Sequence, residues 1–151
     1  MQHHFEAALL VIAIALLGQC SAIWKSCNAD NGQVLDMRVT PGSDREVYIL
    51  RKGTNVTLNI EFWSSVDSGS AKVRAHGMVM GVPIPLKMPN EDACVDCGIS
   101  CPMRNGEKYL YKQGFEVKAS YPKMSATIKW ALGDDNGGTV ACVLIPVEIV
   151  D

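Results

Sequence analysis

Histidine is scarce in this chain. Of the three in 151 residues, two are His3 and His4 at the extreme start, so His76 is the one imidazole in the body of the sequence. A Ser-His-Asp or Cys-His arrangement would have to be built on it. It sits instead in an apolar, strand-like run, Val73–Met78, which suits a structural or surface role. No G-x-S-x-G, no H-E-x-x-H and no glycine-rich phosphate loop occurs. Asp134-Asp135 is an adjacent carboxylate pair, but it lies in Gly133–Gly138, where Asp, Asn and Gly are the ordinary chemistry of a turn. The means of catalysis are thin, and no enzyme is expected.

An excess of charge of one sign is also missing. Lys and Arg total 14 against 16 Asp and Glu, a net charge of −2, and the two signs are interspersed. Such a surface has no electrostatic footprint for nucleic acid and no strong pull toward an anionic membrane surface. Long apolar runs are absent except for Ala7–Leu17, which is too short to span a bilayer. It is followed by Gly18-Gln19-Cys20-Ser21-Ala22, placing small residues at the −3 and −1 positions of a cleavage before Ile23. That pattern reads as a secretory signal peptide, although no Lys or Arg precedes it. The expectation is a leader over residues 1–22 and one domain over 23–151, secreted to the extracellular space or the lysosomal lumen.

Cys20 leaves with the leader, so Cys27, Cys94, Cys97, Cys101 and Cys142 remain, an odd number. In an oxidising compartment they form disulfides with one left over, and sequence alone does not fix the pairing. A Cys27–Cys142 bridge would tie the first strand to the last, and closing so long a loop stabilises by about 4–5 kcal/mol in the chain-entropy model. A second bridge must then fall among Cys94, Cys97 and Cys101. Their C-x2-C-x3-C spacing also suits a metal, but no fourth ligand stands nearby, so neither a metal nor a cofactor is expected.

What is present is strand-like. Val34–Val39, Val47–Leu50, Ala71–Met80, Lys108–Lys112, Val117–Tyr121, Thr127–Leu132 and Thr139–Ile149 are β-branched or aromatic runs bounded by turn residues. In Val56–Phe62 the apolar residues Val56, Leu58, Ile60 and Phe62 alternate strictly with Thr57, Asn59 and Glu61, the mark of a strand with one face on a core and one in water. Residues 87–107 read as loop. About seven or eight short strands and no amphipathic helix argue an all-β sandwich or barrel.

Two local features stand out. Asn55-Val56-Thr57 is an N-glycosylation sequon at the start of the alternating strand. The segment Gly81–Pro89 places Pro83, Pro85 and Pro89 among Val82, Ile84, Leu86 and Met88, so it is stiff and apolar. Such prolines exclude a central strand. The segment is either a crossover packed on the core edge or a rigid lip over an apolar opening.

An ordered set of motifs then names a family. Val34-Leu35-Asp36-Met37-Arg38-Val39-Thr40-Pro41, His76-Gly77, Gly81-Val82-Pro83-Ile84-Pro85, Asp92-Ala93-Cys94, Gly98-Ile99-Ser100-Cys101-Pro102, Tyr109-Leu110-Tyr111, Tyr121-Pro122, Trp130-Ala131-Leu132 and Cys142-Val143-Leu144-Ile145-Pro146 follow one another from Cys27 to Val150. Together they resemble the ML (lipid-recognition) domain family, in its branch of soluble Niemann-Pick type C sterol-transfer proteins. The resemblance implies an immunoglobulin-like β-sandwich of two antiparallel sheets with an apolar tunnel between them. It implies a carrier, acting as a monomer, that encloses a sterol and passes it to a bilayer or to a membrane transporter or receptor.

The same resemblance places Val117 and Tyr121 at the tunnel entrance, puts Leu86 where sterol-binding members have phenylalanine, and assigns Trp130 and Ile145 to the pocket lining. Val82 and Pro83 belong to the stiff lip beside them. A tyrosine offers an apolar face and a polar tip, suited to a sterol's amphipathic end. The family also implies a Cys94–Cys101 bridge with Cys97 left as a free thiol. A small disulfide usual in the family is absent, its positions falling near Gly42 and Val47. Two other classes of function fit a member of this family, namely recognition of microbial lipid in defence and chemosensory carriage of small hydrophobic molecules. Anionic microbial lipids would call for cations at the opening, and Lys87 is the one cation within the proline-rich segment.

Overall fold

The computed structural model describes residues 23–42 and 46–151; the leader expected over residues 1–22 lies outside the described residues. Nine strands follow one another: β1 (Lys25–Ser26), β2 (Gly32–Thr40), β3 (Tyr48–Arg51), β4 (Asn55–Ser64), β5 (Lys72–Val79), β6 (Val82–Leu86), β7 (Lys108–Glu116), β8 (Met124–Gly133) and β9 (Thr139–Val150). They form two sheets, a six-stranded one in the order β1-β9-β8-β5-β6 with β3 also on β9, and a three-stranded one in the order β2-β4-β7. All pairings are antiparallel except β3 on β9, which is parallel. The architecture is the immunoglobulin-like sandwich expected, with β1 and β3 sharing the outer edge of β9 one after the other.

The alternation in β4 sets the geometry. Val56, Leu58, Ile60 and Phe62 are buried while their neighbours are half-exposed, so the strand turns one face to the opposite sheet and one to water. Tyr109, Tyr111, Gln113 and Phe115 do the same for β7. On the inner face of the three-stranded sheet Phe62 stacks on its β7 partner Tyr109 with ring centres 5.7 Å apart, and across the sheets Tyr111 meets Trp130 of β8 at 4.8 Å. Such ring pairs add about 0.5–1.5 kcal/mol each beyond the area they bury.

One long flank of the sandwich is pinched shut. The close inter-sheet approaches are those of β2 and β4 on β9. Gly32 makes this possible: a β-carbon there would stand 2.3 Å from the Val140 carbonyl oxygen and 2.5 Å from that of Trp63. The Cys27–Cys142 disulfide fastens the amino-terminal segment to β9 along the same flank.

The other flank is closed by the loop between β6 and β7. On one side it bonds to the six-stranded sheet, where Val73 N–H donates to Glu91 O and Ala93 N–H to Ala71 O. On the other it bonds to the three-stranded sheet, where Lys112 N–H donates to Cys97 O and the Gln113 side-chain amide pairs with the Asn90 backbone in both directions, at 2.9 Å each. The loop is thus a side wall, folded on the Cys94–Cys101 bridge within it.

One element differs from expectation. Val117–Tyr121 is not a strand: β7 runs on through Glu116 and the chain then leaves the sheet. Val117 is held by the β3–β4 turn, exchanging backbone hydrogen bonds with Gly53 and Thr54, and a turn from Lys118 to Tyr121 follows. The composition is strand-like, but the backbone groups a ladder would use are already taken.

Candidate functional site

The inner face of the six-stranded sheet is written in its register. Leu86, Ala75, Trp130 and Val143 form one row across β6, β5, β8 and β9. Two residues along, Ile84, Gly77, Ile128 and Ile145 form a second. Beyond it come Val82 with Val79 and Ala126 with Val147, next to the β5–β6 turn. All three rows are apolar, and they end on β6, the free edge of the sheet.

Burial falls away along this face. Trp130 and Val143 are fully covered and Leu86 partly, whereas Ile84 is 48% and Val82 59% exposed. These side chains share the inward face of β6, yet no strand among the described residues lies above them, since the side wall leaves β6 at Leu86 and turns toward β7. The inner face of the sheet is therefore apolar and uncovered at its β5–β6 end.

Gly77 sits in the middle row, buried, with an unexceptional extended backbone. A β-carbon there would find Leu86 Cδ1, Cδ2 and Cγ as its nearest neighbours at 3.8–3.9 Å. That is ordinary contact distance, so the missing side chain leaves a recess of about a methyl group in the inner face between the uncovered end and Trp130.

At the inner end the surroundings change. The Tyr111 hydroxyl accepts a hydrogen bond from Gln113 Nε2 at 2.6 Å. Burial pushes the Tyr111 phenol up to about 12, so it stays protonated at any physiological pH. The buried Trp130 indole N–H beside it faces the Tyr111 oxygen in a loose hydrogen bond that, with the one from Gln113, opposes part of that rise. Cys97 borders the same group: Gln113 Nε2 lies 3.5 Å and Asn90 Nδ2 3.6 Å from its sulfur, and burial pushes the thiol's pKa up. A low-pKa, exposed thiol would be reactive; this one is neither.

The residues expected at the site are thus distributed as follows. Val82 and Leu86 lie on the inward face of β6, and Trp130 and Ile145 in the rows behind them. Val117, 1% exposed, and the half-buried Tyr121 belong to the segment that leads from β7 into β8. Tyr121 packs on the core there. Pro83 is on the other side: it pairs with Met78, and Pro85 with His76, so both prolines face outward. Cys97 is the free cysteine among the described residues. Asn55 is exposed at the first position of β4. Ile84 completes the inward trio of β6; its even spacing from Val82 and Leu86 was the available signal.

The model of the ML domain matches residues 21–149. The chain belongs to the ML-domain family. A Drosophila melanogaster relative named NPC intracellular cholesterol transporter 2 homolog a is 35% identical over 145 residues, covering 95% of this chain and 93% of that one. The Canis lupus familiaris NPC intracellular cholesterol transporter 2 is 34% identical, covering 95% of each. Among solved structures, a Niemann-Pick type C2 protein from the Japanese carpenter ant superposes with a TM-score of 0.81 at 23% identity, over 84% of this chain and 98% of that one. Chicken MD-1 complexed with lipid IVa gives a TM-score of 0.50 at 17% identity, over 82% of this chain and 85% of that one. These two report on the fold.

Proposed function

We propose that this ML-domain protein is a carrier that takes up one sterol-like lipid between its sheets and transfers it at membranes. The observation that carries the reading is the apolar, uncovered inward face of β6 leading onto the recess at Gly77, in a family whose relatives above are named cholesterol transporters. Enclosure needs no reacting group. Each Å² of apolar surface moved from water into such an interior stabilises by about 25 cal/mol, so a sterol's area supplies several kcal/mol. Val117 and Tyr121 stand at the entrance in this reading, and Trp130 and Ile145 line the interior.

The β5–β6 turn is the contact point with a bilayer. Met80 at its tip is 98% exposed, with φ of 50°, and Gly81 follows at 79°. An exposed methionine beside Val82 and Ile84 presents to lipid the same surface through which the ligand passes. The two disulfides fit an extracellular or lysosomal lumen.

Lipid extraction and mass spectrometry of protein purified from its native source tests the proposal, alongside titration with a fluorescent sterol. Co-purifying sterol and saturable, one-to-one binding are expected. A protein that carries no lipid and takes up no sterol from vesicles would overturn it.

A further inference from the structure

The sequon Asn55-Val56-Thr57 lies where the fold can carry a sugar. Val56, Leu58, Ile60 and Phe62 turn into the core, so Asn55, Thr57, Asn59 and Glu61 stand on the outer face of the three-stranded sheet. Asn55 is exposed, and its side chain makes no hydrogen bond or ion pair among the described residues. The amides of Asn31 and Asn90, in contrast, donate to Asp134 and to the Val95 carbonyl. Of the seven asparagines only Asn55 has a Thr or Ser two residues on; Asn59, on the same face, is followed by Ile60 and Glu61. There is also room. β2 pairs no farther than Thr40, opposite Thr57, and on β7 the partner of Thr57 is Gly114. A β-carbon on Gly114 would stand 3.9 Å from Thr57 Oγ1, so the missing side chain leaves open ground beside the sequon. A β-carbon on Gly53, in the turn before Asn55, would meet nothing within 4 Å.

We propose that Asn55 carries an N-linked glycan whose first sugars lie along the outer face of the three-stranded sheet. The donor is a lipid-linked oligosaccharide. The Asn55 side-chain nitrogen bonds to the anomeric carbon of its first N-acetylglucosamine, the bond from that carbon to the lipid pyrophosphate breaks, and the amide proton leaves with the pyrophosphate. Disulfides form in the same compartment in which such transfer takes place, and this chain has two. Farther along the face, Asn59 and Glu61 of β4 border a shallow groove with Asp36, Arg38 and Thr40 of β2. Their side chains offer sugar hydroxyls both donors and acceptors. The inner face takes no part, so the inference does not depend on the carrier reading.

The full chain is expressed in animal cells and its intact mass is measured before and after treatment with peptide-N-glycosidase. Loss of the mass of one oligosaccharide is expected, with Asn55 converted to aspartate in the peptide that contains it. Asn55→Gln and Thr57→Val should lack the added mass, whereas Thr57→Ser should keep it, a distinction that a packing role of Thr57 would not produce. Enzymatic release from the wild type reads the attachment even where a variant fails to fold. Acetylation of lysines then locates the sugars. Lys112, the β7 partner of Asn59, should react more slowly before release than after it. Lys129, exposed on the outer face of the other sheet, should react equally in both states. Protein that has the mass of the unmodified polypeptide, whether secreted or retained, overturns the inference. A glycan at Asn55 with Lys112 equally reactive in both states overturns its course along the sheet and leaves the attachment standing.

Discussion

Leu86 reaches diagonally across the β5–β6 pairing to within ordinary contact distance, 3.8 Å, of the place where a β-carbon on Gly77, the partner of Ile84, would stand. A β-carbon therefore fits there without a clash, and a branched side chain reaches beyond it into the inner face, which tests the hollow without a backbone collision. Gly77→Val is expected to weaken sterol binding about tenfold or more. The melting temperature should hold or rise, because valine is the better strand residue. Fluorescent-sterol titration and a thermal melt on the same sample check both halves.

Gly32 is the opposite case. Any side chain there collides with the Val140 and Trp63 carbonyls, which are backbone and cannot rotate away. Gly32→Ala should cost about 3 kcal/mol or more by forcing β2 off β9. Urea denaturation reads it as a lower midpoint at an unchanged slope.

Met80→Asp puts a charge at the tip of the β5–β6 turn, where nothing packs. Sterol affinity should stay within about twofold, while sterol transfer between vesicles slows by about fivefold or more, since a carboxylate is costly to push into lipid. Equal transfer rates would remove the tip from the mechanism.

Asp134 closes the β8–β9 turn. Its Oδ2 accepts from Asn31 Nδ2 at 2.6 Å and its Oδ1 from Asn136 N–H at 2.9 Å and Gly138 N–H at 2.8 Å. Partial burial alone would raise its pKa, but these donors outweigh that and hold it below the ordinary aspartate value, 3.8. Stability carried by a carboxylate of lowered pKa is complete above its unfolded value and is lost as pH falls through the folded one. Wild type should exceed Asp134→Asn by about 1–3 kcal/mol at neutral pH. The gap should close below pH 3.8, as followed by thermal melts across a pH series.

Much of the fold was legible in the chain because a strand with one wet face writes its register in alternating residues; Val56–Phe62 is the clearest example. The side wall formed by residues 87–107 was not, because its structure comes from hydrogen bonds to two sheets and from a disulfide, none of which leaves a period. The two-residue β1 is too short for any pattern. Val82, Leu86, Trp130 and Ile145 share the inner face of the six-stranded sheet, whereas Pro83 follows the pleat to the outer one. Gly77 could not be singled out, since what matters there is an unfilled space.

The outward-facing prolines of β6 bear on solubility. An edge strand carrying exposed Val82 and Ile84 would ordinarily recruit another strand and seed a fibril. In an antiparallel pair closed by a two-residue turn, Val82 and Ile84 bond inward to β5, and the residues between and after them aim their amides at open water. Those positions are Pro83 and Pro85, which have no amide hydrogen to offer. The molecule can keep a greasy margin at its rim while denying a second copy the rungs on which to climb.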